Sequence, residues 1–402
     1  INIIKEKIRA SFSFLLTLAV PSKTKETRMA HTIAQKSLEG FIQQIGDTIW
    51  ADAGLCQRRA ANRLLTGLVS NGSPLVTQLA KALGREKPQK GMETSEKGRQ
   101  ERISGWLNRY DFVSDAEAHL LTLNAEGVSS MTPIALDFSD LSKPWGGEGM
   151  EGMERGYDAS TKTIRMGHTL VAAVIPGETD GSPVKPLFLS LLPGRKGVIA
   201  HMKEACDRVM QATHGKGILI IDRGADAQEI INHLQIKGYR FIIRVNALDR
   251  ETFDGPNSTP QHLSSRPGTF ARKGHLNGLP ITVVRHNTLN DKGQAHSLFY
   301  YTNCERYQYT PMRYRLRWSI ETFFRDIKQL FHLESACVRT FQRLSNLVAL
   351  TTLAYDIIAN RLRNTPHHLE LLTTIQHHLR RTLGFSHEFR LFLVNLRALL
   401  LH

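Results

Sequence analysis

The segment at residues 217–222, Gly-Ile-Leu-Ile-Ile-Asp, is a short apolar run that ends in a carboxylate. An isoleucine-rich run of this length predicts a strand buried within a sheet. The aspartate that ends it, Asp222, is costly to bury inside the sheet but is well placed at its edge. Because ligand sites of open α/β sheets lie at the carboxyl ends of strands, Asp222 is a candidate site residue.

The segments on either side of this run predict the layer to which it belongs. Their order is strand-strand-strand-helix-strand-helix-strand, over residues 133–137, 163–175, 186–192, 198–213, 217–221, 227–234 and 239–245. Such alternation is typical of an α/β fold with a mixed sheet flanked by helices. The order of the elements matches an RNase H-like fold, and this is the fold class that the sequence predicts for the core.

The rest of the chain differs in pattern from this core. Helical spacing dominates before it, short runs punctuated by Gly, Pro, Asn and Ser follow it, and helical spacing then returns. The predicted organisation is an extension (1–30), a helical DNA-binding domain (31–128), the first part of the core (129–245), a β-rich insertion (246–309), a core helix (310–335) and a C-terminal helical region (336–402).

The first residues of the chain allow two interpretations. Basic residues precede an apolar stretch at 12–20, which is the pattern of a secretory signal peptide. However, no small-x-small cleavage site follows, and Pro21 breaks the run. We therefore expect residues 1–28 to be translated upstream sequence and the working protein to begin at Met29, with the signal peptide as the alternative.

Composition restricts the class of partner. The 402 residues carry 52 Lys and Arg against 37 Asp and Glu, a net charge of +15. This surplus favours a polyanion such as DNA over a small neutral substrate. The four cysteines include no C-x-x-C pair, which argues against a zinc finger or a disulfide scaffold. No apolar run approaches the roughly 20 residues of a membrane span. We expect a cytoplasmic, nucleoid-associated protein with no membrane partner.

Two basic regions are candidates for contact with DNA. Arg58, Arg59 and Arg63 fall within two helical turns, where they form either a solvated face or a DNA-contacting helix. Residues 311–402 hold 13 basic against 6 acidic residues, and 12 of the 13 are arginine. Because the planar guanidinium pairs well with phosphate oxygens, this bias indicates a phosphate backbone as partner.

A second aspartate, Asp137, ends the apolar run at 133–136 as Asp222 ends its own. Each could instead be a helix N-cap or a loop acid. Asp140 is a rival for the first position, but residues three apart in a strand point to opposite faces. Asp226 is a rival for the second, and its place before a helix predicts a capping role.

The stretch at 314–328 predicts an amphipathic helix with a polar face. At 100° per residue, Tyr314, Arg317, Glu321 and Lys328 lie within about 60° of one another. The apolar stripe predicted to pack on the sheet comprises Leu316, Ile320, Phe323, Phe324, Ile327 and Phe331. Trp318 could stack on a flipped base, but we expect it to pack with the Phe and Ile residues. In a generic helix the polar face would simply be solvated.

These residues resemble a known family. The spacing Y-x2-R-x3-E-x6-K is similar to the signature of transposases of the insertion-sequence-four family, which includes those of transposons five and ten. Residues 136–141 resemble the first catalytic motif of that family, and residues 221–226 resemble the second. The resemblance covers roughly residues 31–402, and the two aspartate motifs precede the signature in the family's order.

The resemblance implies a DDE active site on an RNase H-like fold. Asp137, Asp222 and Glu321 would hold two Mg2+ ions, for which Mn2+ can substitute, and Tyr314, Arg317 and Lys328 would contact the phosphate backbone. Similar proteins act as homodimers that bind terminal inverted repeats of double-stranded DNA, cut at the ends and join the 3′-ends to target DNA. In them the β-rich insertion contributes to a hairpin step.

Two other functions remain open at this point. One is an RNase H-like nuclease or resolvase, which would cleave structured DNA without joining a 3′-end to a target. The other is a catalytically silent DNA-binding relic that acts as an inhibitor. The presence of all three acidic residues disfavours the relic.

Overall fold

The computed structural model describes residues 38–83, 95–143, 149–158, 163–177, 183–193, 197–289 and 293–362. The expectations for residues 1–30 lie outside these ranges. So does the part of the predicted C-terminal region beyond residue 362. No helix within the described part of the chain is long and apolar enough to cross a membrane.

Five helices precede the sheet within residues 38–83 and 95–125, as the helical spacing before residue 128 predicts. They are α1 (38–49), α2 (Leu55–Asn71), α3 (Val76–Leu83), α4 (Glu96–Arg109) and α5 (Val113–Ala125). The apolar face of α2 is buried through Leu64, Leu65 and Leu68. Ser95 begins α4 by accepting a hydrogen bond from the backbone amide of Gly98, which is the usual N-cap interaction.

One mixed sheet forms the centre of the molecule. Its nine strands are β1 (Pro133–Ser142), β2 (Glu154–Asp158), β3 (Thr163–Ile175), β4 (Lys185–Leu192), β5 (Ile218–Ile221), β6 (Phe241–Arg244), β7 (Gly268–Leu276), β8 (Leu279–Leu289) and β9 (Ala295–Thr302). Strand β3 pairs with β1 along one edge and with both β2 and β4 along the other. Helices α6 (Val198–Ala212) and α7 (Gln228–Ile236) connect β4, β5 and β6.

The strand order confirms the predicted fold class. The first half of the sheet runs β4-β3-β1-β5-β6, in which β3 is antiparallel to its neighbours and β1, β5 and β6 are parallel. This is the mixed sheet of an RNase H-like core, with helices packed against it. Strand β3 has the bounds that the sequence predicts. Strand β1 is longer than predicted, because its pairing with β3 continues to Ser142, opposite Gly167.

The region at 246–309 contains the three strands β7, β8 and β9, and it extends the core sheet. Strand β9 pairs antiparallel with β6, placing Ile242 opposite Thr302, and β8 and β7 follow outward. Backbone hydrogen bonds therefore run from β4 through the core to β7. The domain boundaries drawn from the sequence remain predictions.

The helical stretch after the sheet differs from the single regular helix that the sequence predicts. It consists of α8 (Thr310–Arg315), α9 (Trp318–Arg325) and a π-helical turn (Asp326–Leu330). Hydrogen bonds of the i→i+3 type tighten the junction between α8 and α9. A further helix, α10 (Phe341–Asp356), is buried over most of its length. The apolar faces of α9 and α10 share one core with α2, α4, α5 and one face of the sheet.

Candidate active site

The register of two parallel strands brings the first two aspartates together. Pairing between β1 and β5 ends at Leu136 and Ile221, so Asp137 and Asp222 are the next residues on neighbouring strands. The expectation that Asp137 ends its strand is wrong, because β1 continues five residues further along β3. Asp137 nevertheless lies just beyond the last residue of β1 that pairs with β5. From this point the two strands are no longer hydrogen-bonded to each other.

Arg317 joins the three candidate carboxylates. Its Nη1 atom donates to Asp137 Oδ2 at 2.7 Å and to Glu321 Oε1 at 3.3 Å. Its Nε atom lies 3.7 Å from Asp222 Oδ1. The Arg317 side chain is 9% exposed, whereas that of Glu321 is 44% exposed. The structure therefore brings Asp137, Asp222 and Glu321 around one nearly buried guanidinium.

Tyr314 contacts the same cluster from the other side of the tightened turn. Its hydroxyl donates to Asp222 Oδ1 at 2.5 Å, and its ring lies 5.0 Å from the ring of Tyr300 on β9. Burial, together with this hydrogen bond to Asp222, raises the pKa of Tyr314, so the hydroxyl keeps its proton and remains the donor. The fourth signature residue, Lys328, donates to Ser139 Oγ at 2.7 Å and so reaches β1 beside Asp137.

The two aspartates have opposite pKa shifts. Desolvation by burial raises the pKa of Asp137 to about 7, which the Arg317 guanidinium only partly offsets. Burial also acts to raise the pKa of Asp222, but the hydrogen bond from Tyr314 and the charge of Arg317 outweigh it, so the pKa is lowered. Paired carboxylates with shifts of opposite sign are characteristic of functional sites.

Arg244 is a site residue that is not among those predicted from the sequence, although it also ends a buried strand. Arg244 is the last residue of β6, the strand next to β5. Its positive charge contributes to the lowered pKa of Asp222. The strand-end pattern that predicts Asp222 after β5 therefore also predicts Arg244 at the end of β6.

Lys143, also missed, ties β1 to the segment that follows the signature helix. Its ammonium is almost fully buried and donates to the backbone carbonyls of Leu333, Glu334 and Ala336 at 2.7, 3.0 and 2.7 Å. Burial lowers the pKa of Lys143 to about 8. This contact fixes the strand of Asp137 against the segment that leaves the signature helix.

Two expectations for neighbouring residues are wrong. The Asp226 side chain does not cap α7: its carboxylate accepts hydrogen bonds from the amides of Asn246 and Ala247 and pairs with Arg250. The insertion therefore supplies its partners.

Trp318 does not pack with the apolar stripe but is 68% exposed. Helical rotation turns it about half a circle away from the centre of that stripe. Asp140 is exposed, on the opposite face of β1 from Asp137.

The three arginines of α2 lie in different environments. Arg58 donates to the backbone carbonyls of Ala51 and Ala53, which precede its own helix. Arg59 is exposed and Arg63 is half-buried. None of the three contacts the carboxylate cluster through a described hydrogen bond or ion pair, and their contact with DNA stays a prediction.

The donor set fits a hard divalent cation. Carboxylate oxygens are the ligands that Mg2+ prefers, and the position of Arg317 marks a place where the three acids favour positive charge. In the described part of the chain, no group of three or more His, Cys, Asp or Glu side chains lies at the spacing of a metal site. The carboxylates instead meet at the guanidinium of Arg317, which lies between them.

A comparison with protein families identifies the chain. A family model described as a transposase DDE domain matches residues 147–357. The chain belongs to the DDE transposases. The matched range contains Asp222, Glu321 and the whole signature, and it begins after Asp137. DDE transposases act on DNA and generally use divalent metal ions.

Other comparisons add little. No curated protein matches this transposase. Among solved structures, the Argonaute of Kluyveromyces polysporus with a guide RNA is similar at 7% identity and a TM-score of 0.18. The alignment covers 69% of this chain and 35% of the Argonaute, so the transposase spans about a third of that protein's length. A similarity this weak carries no argument about fold or function.

Proposed function

We propose that this transposase is a member of the insertion-sequence-four family that moves its element by cutting and pasting. It would bind the terminal inverted repeats as a homodimer, cleave the DNA at both ends and join the freed 3′-ends to target DNA. The observation that carries the proposal is the convergence of Asp137, Asp222 and Glu321, from two strands and a helix, on the single side chain of Arg317.

In this proposal the three carboxylates hold two divalent ions, Mg2+ in the cell. Bound there, the ions would supply Lewis-acid chemistry to the attacking oxygen of water or of a DNA 3′-hydroxyl and to the departing 3′-oxygen. Asp137 and Asp222 would act from adjacent strand positions, and Glu321 from the more exposed helix face. The acids orient the reacting groups, and the reaction needs no protein nucleophile.

The cations of the signature would position the DNA. Arg317 and Lys328 can each pair with a phosphate oxygen, because charge-assisted hydrogen bonds to phosphate are strong and directional. Tyr314 would hold Asp222 through its hydroxyl, which supports a positioning role in addition to contact with the backbone. Trp318 is exposed on the same helix and could stack on a base there.

The test is an end-cleavage assay. Duplex DNA carrying the inverted repeats that flank the gene is incubated with Mg2+ or Mn2+ and either wild type, Glu321→Ala or Glu305→Ala. Glu305 is an exposed acid that precedes α8 and serves as the matched control. We expect cleavage at the repeat boundary by wild type and Glu305→Ala, and none by Glu321→Ala, with all three binding the DNA equally.

Two outcomes would contradict the proposal. Salt-sensitive binding of the repeats without cleavage by wild type would indicate a silent end-binding protein. Cleavage of junctions or hybrids without joining of a 3′-end to target DNA would indicate a nuclease or resolvase.

A further inference from the structure

Arg317 is committed to the acidic cluster rather than to solvent. One nitrogen, Nη1, serves both Asp137 and Glu321, and Nε faces Asp222. The backbone amide of Arg317 bonds to the carbonyl of Tyr314 in the tightened turn before α9, which fixes where the side chain begins. The guanidinium therefore lies between the carboxylates that the proposed function assigns to metal ions.

A guanidinium in this position competes with divalent ions for the same carboxylates. Like charges a few ångströms apart repel strongly where burial lowers the effective dielectric constant. Nη1 and Nε of Arg317 face the acids, and they belong to a planar fork that also matches a phosphate. A phosphate that took up these two nitrogens would compete with the acids for Arg317.

We propose that Arg317 occupies the place of the divalent ions until a DNA phosphate draws it away, so that metal binding depends on bound DNA. This inference rests on the proposed function, because it takes Asp137, Asp222 and Glu321 as the metal ligands. A phosphodiester at the site provides an anionic partner outside the cluster, and the carboxylates that Arg317 leaves gain affinity for cations. Without DNA the protein thus binds divalent ions weakly, and it binds them tightly once DNA is in the site.

The chain offers a matched control for this exchange. Arg315 lies two residues before Arg317, is exposed and has no described contact with the three carboxylates. Replacing either arginine with glutamine removes one positive charge from the same stretch of chain. Only the replacement of Arg317 removes the cation that pairs with the acids.

The experiment measures Mn2+ binding by calorimetry and by the paramagnetic resonance of free Mn2+. Wild type, Arg317→Gln and Arg315→Gln are titrated without DNA and with saturating end DNA in which the scissile linkage is non-hydrolysable. Without DNA, we expect Arg317→Gln to bind Mn2+ about 10-fold more tightly than wild type, a coupling of ordinary size between two sites. We expect Arg315→Gln to stay within about 2-fold of wild type.

End DNA should tighten Mn2+ binding to wild type by a similar factor of about 10, and should change Arg317→Gln far less. The double variant Arg317→Gln/Glu321→Gln should lose the gain, which places the extra ion at this site. Thermal unfolding of each variant shows whether it is folded, and the DNA dependence in wild type tests the inference without any substitution.

The inference is overturned if Arg317→Gln binds Mn2+ no more tightly than wild type and end DNA leaves the affinity of wild type unchanged. If wild type also cleaves end DNA in that case, the proposed function stands and only the exchange fails. If Arg317→Gln binds Mn2+ more tightly but wild type cleaves no DNA, the exchange between Arg317 and divalent ions stands. The proposed transposition then fails.

Discussion

Arg317 and Arg58 belong to the two basic groups for which the sequence predicts contact with DNA, yet their partners differ in kind. Arg317 donates hydrogen bonds to Asp137 on β1 and to Glu321 on α9, and it forms an ion pair with Asp222 after β5. Arg58 donates to two backbone carbonyls a few residues before it, in the turn between α1 and α2. Both guanidinium groups are engaged, but only Arg317 faces groups that carry a negative charge.

The difference shows that the partner, more than the residue type, separates a functional cation from a structural one. A hydrogen bond from a side chain to backbone carbonyls near a turn stabilises the fold and has no further role. Carboxylates gathered at a strand edge are costly to keep together unless a cation joins them, which a protein tolerates where function needs it. Lys143, with three carbonyl partners, belongs with Arg58 in this respect.

The largest expected effect is on catalysis at Arg317. The Arg317→Gln variant should cleave end DNA about 100-fold more slowly than wild type, because it loses a charged contact to the phosphate at the reacting site. Single-turnover cleavage at saturating protein and metal measures this. A rate within about 3-fold of wild type would mean that Arg317 has no more catalytic importance than Arg58.

Lys143→Met should lower the free energy of unfolding by about 2 kcal/mol, because three buried carbonyls lose their donor. Urea unfolding followed by circular dichroism measures the change. Lys143→Arg, which retains the charge and several donors, should recover part of the loss. An unchanged unfolding midpoint for Lys143→Met would show that the carbonyls find other partners.

Neighbouring arginines of α2 should behave differently. Arg58→Gln should lower the free energy of unfolding by about 1 kcal/mol through its two lost carbonyl contacts. Arg59→Gln should leave stability unchanged and reduce the salt dependence of DNA binding by about one phosphate contact, if α2 meets DNA as predicted. Urea titrations measure the change in stability, and salt-dependent binding curves measure the change in DNA contact. Identical results for both variants would contradict the different roles given to Arg58 and Arg59.

A pH-dependent effect on stability concerns His168, a buried histidine close to Lys143. Burial, reinforced by the charge of Lys143, lowers the pKa of His168 to about 4. The unfolded chain takes up this proton near pH 6.5 and the folded chain does not, so stability falls as the pH drops through 6.5 towards 4.

Between pH 7 and 5.5, the His168 contribution to stability should fall by about 1 kcal/mol. The His168→Phe variant should lack this component, which the difference between the two unfolding curves at each pH measures. Parallel curves for wild type and the variant over this range would show that His168 titrates normally.

Local patterns were sufficient to predict most of the core. The predicted bounds of the strand at 163–175 agree with the structure, and those of the strand at 218–221 differ by one residue. An uninterrupted apolar segment is predictable because it must be buried in the core. Tyr314, Arg317 and Lys328 still reach the site through side-chain hydrogen bonds, although a tightened turn and a π turn interrupt the helix that carries them.

Features that depend on distant partners were not predictable. The length of β1 is set by its pairing with β3, and the partners of Asp226 come from residues 246–250. The contact of Arg317 with all three acids requires the β1–β5 register and the packing of α9 together. The residue spacing within a single segment predicts none of these contacts.

A metal-rescue assay tests most directly the claim that Asp222 belongs to a divalent-metal site. In Asp222→Cys the oxygen ligand is replaced by a thiolate, which Mg2+ binds poorly and Mn2+ accepts more readily. We predict that Asp222→Cys loses cleavage of end DNA in Mg2+ and regains a measurable part of it in Mn2+, while Asp222→Ala stays inactive in both. Cleavage by Asp222→Cys equal to wild type in Mg2+, or equal recovery by Asp222→Ala in Mn2+, would contradict the assignment.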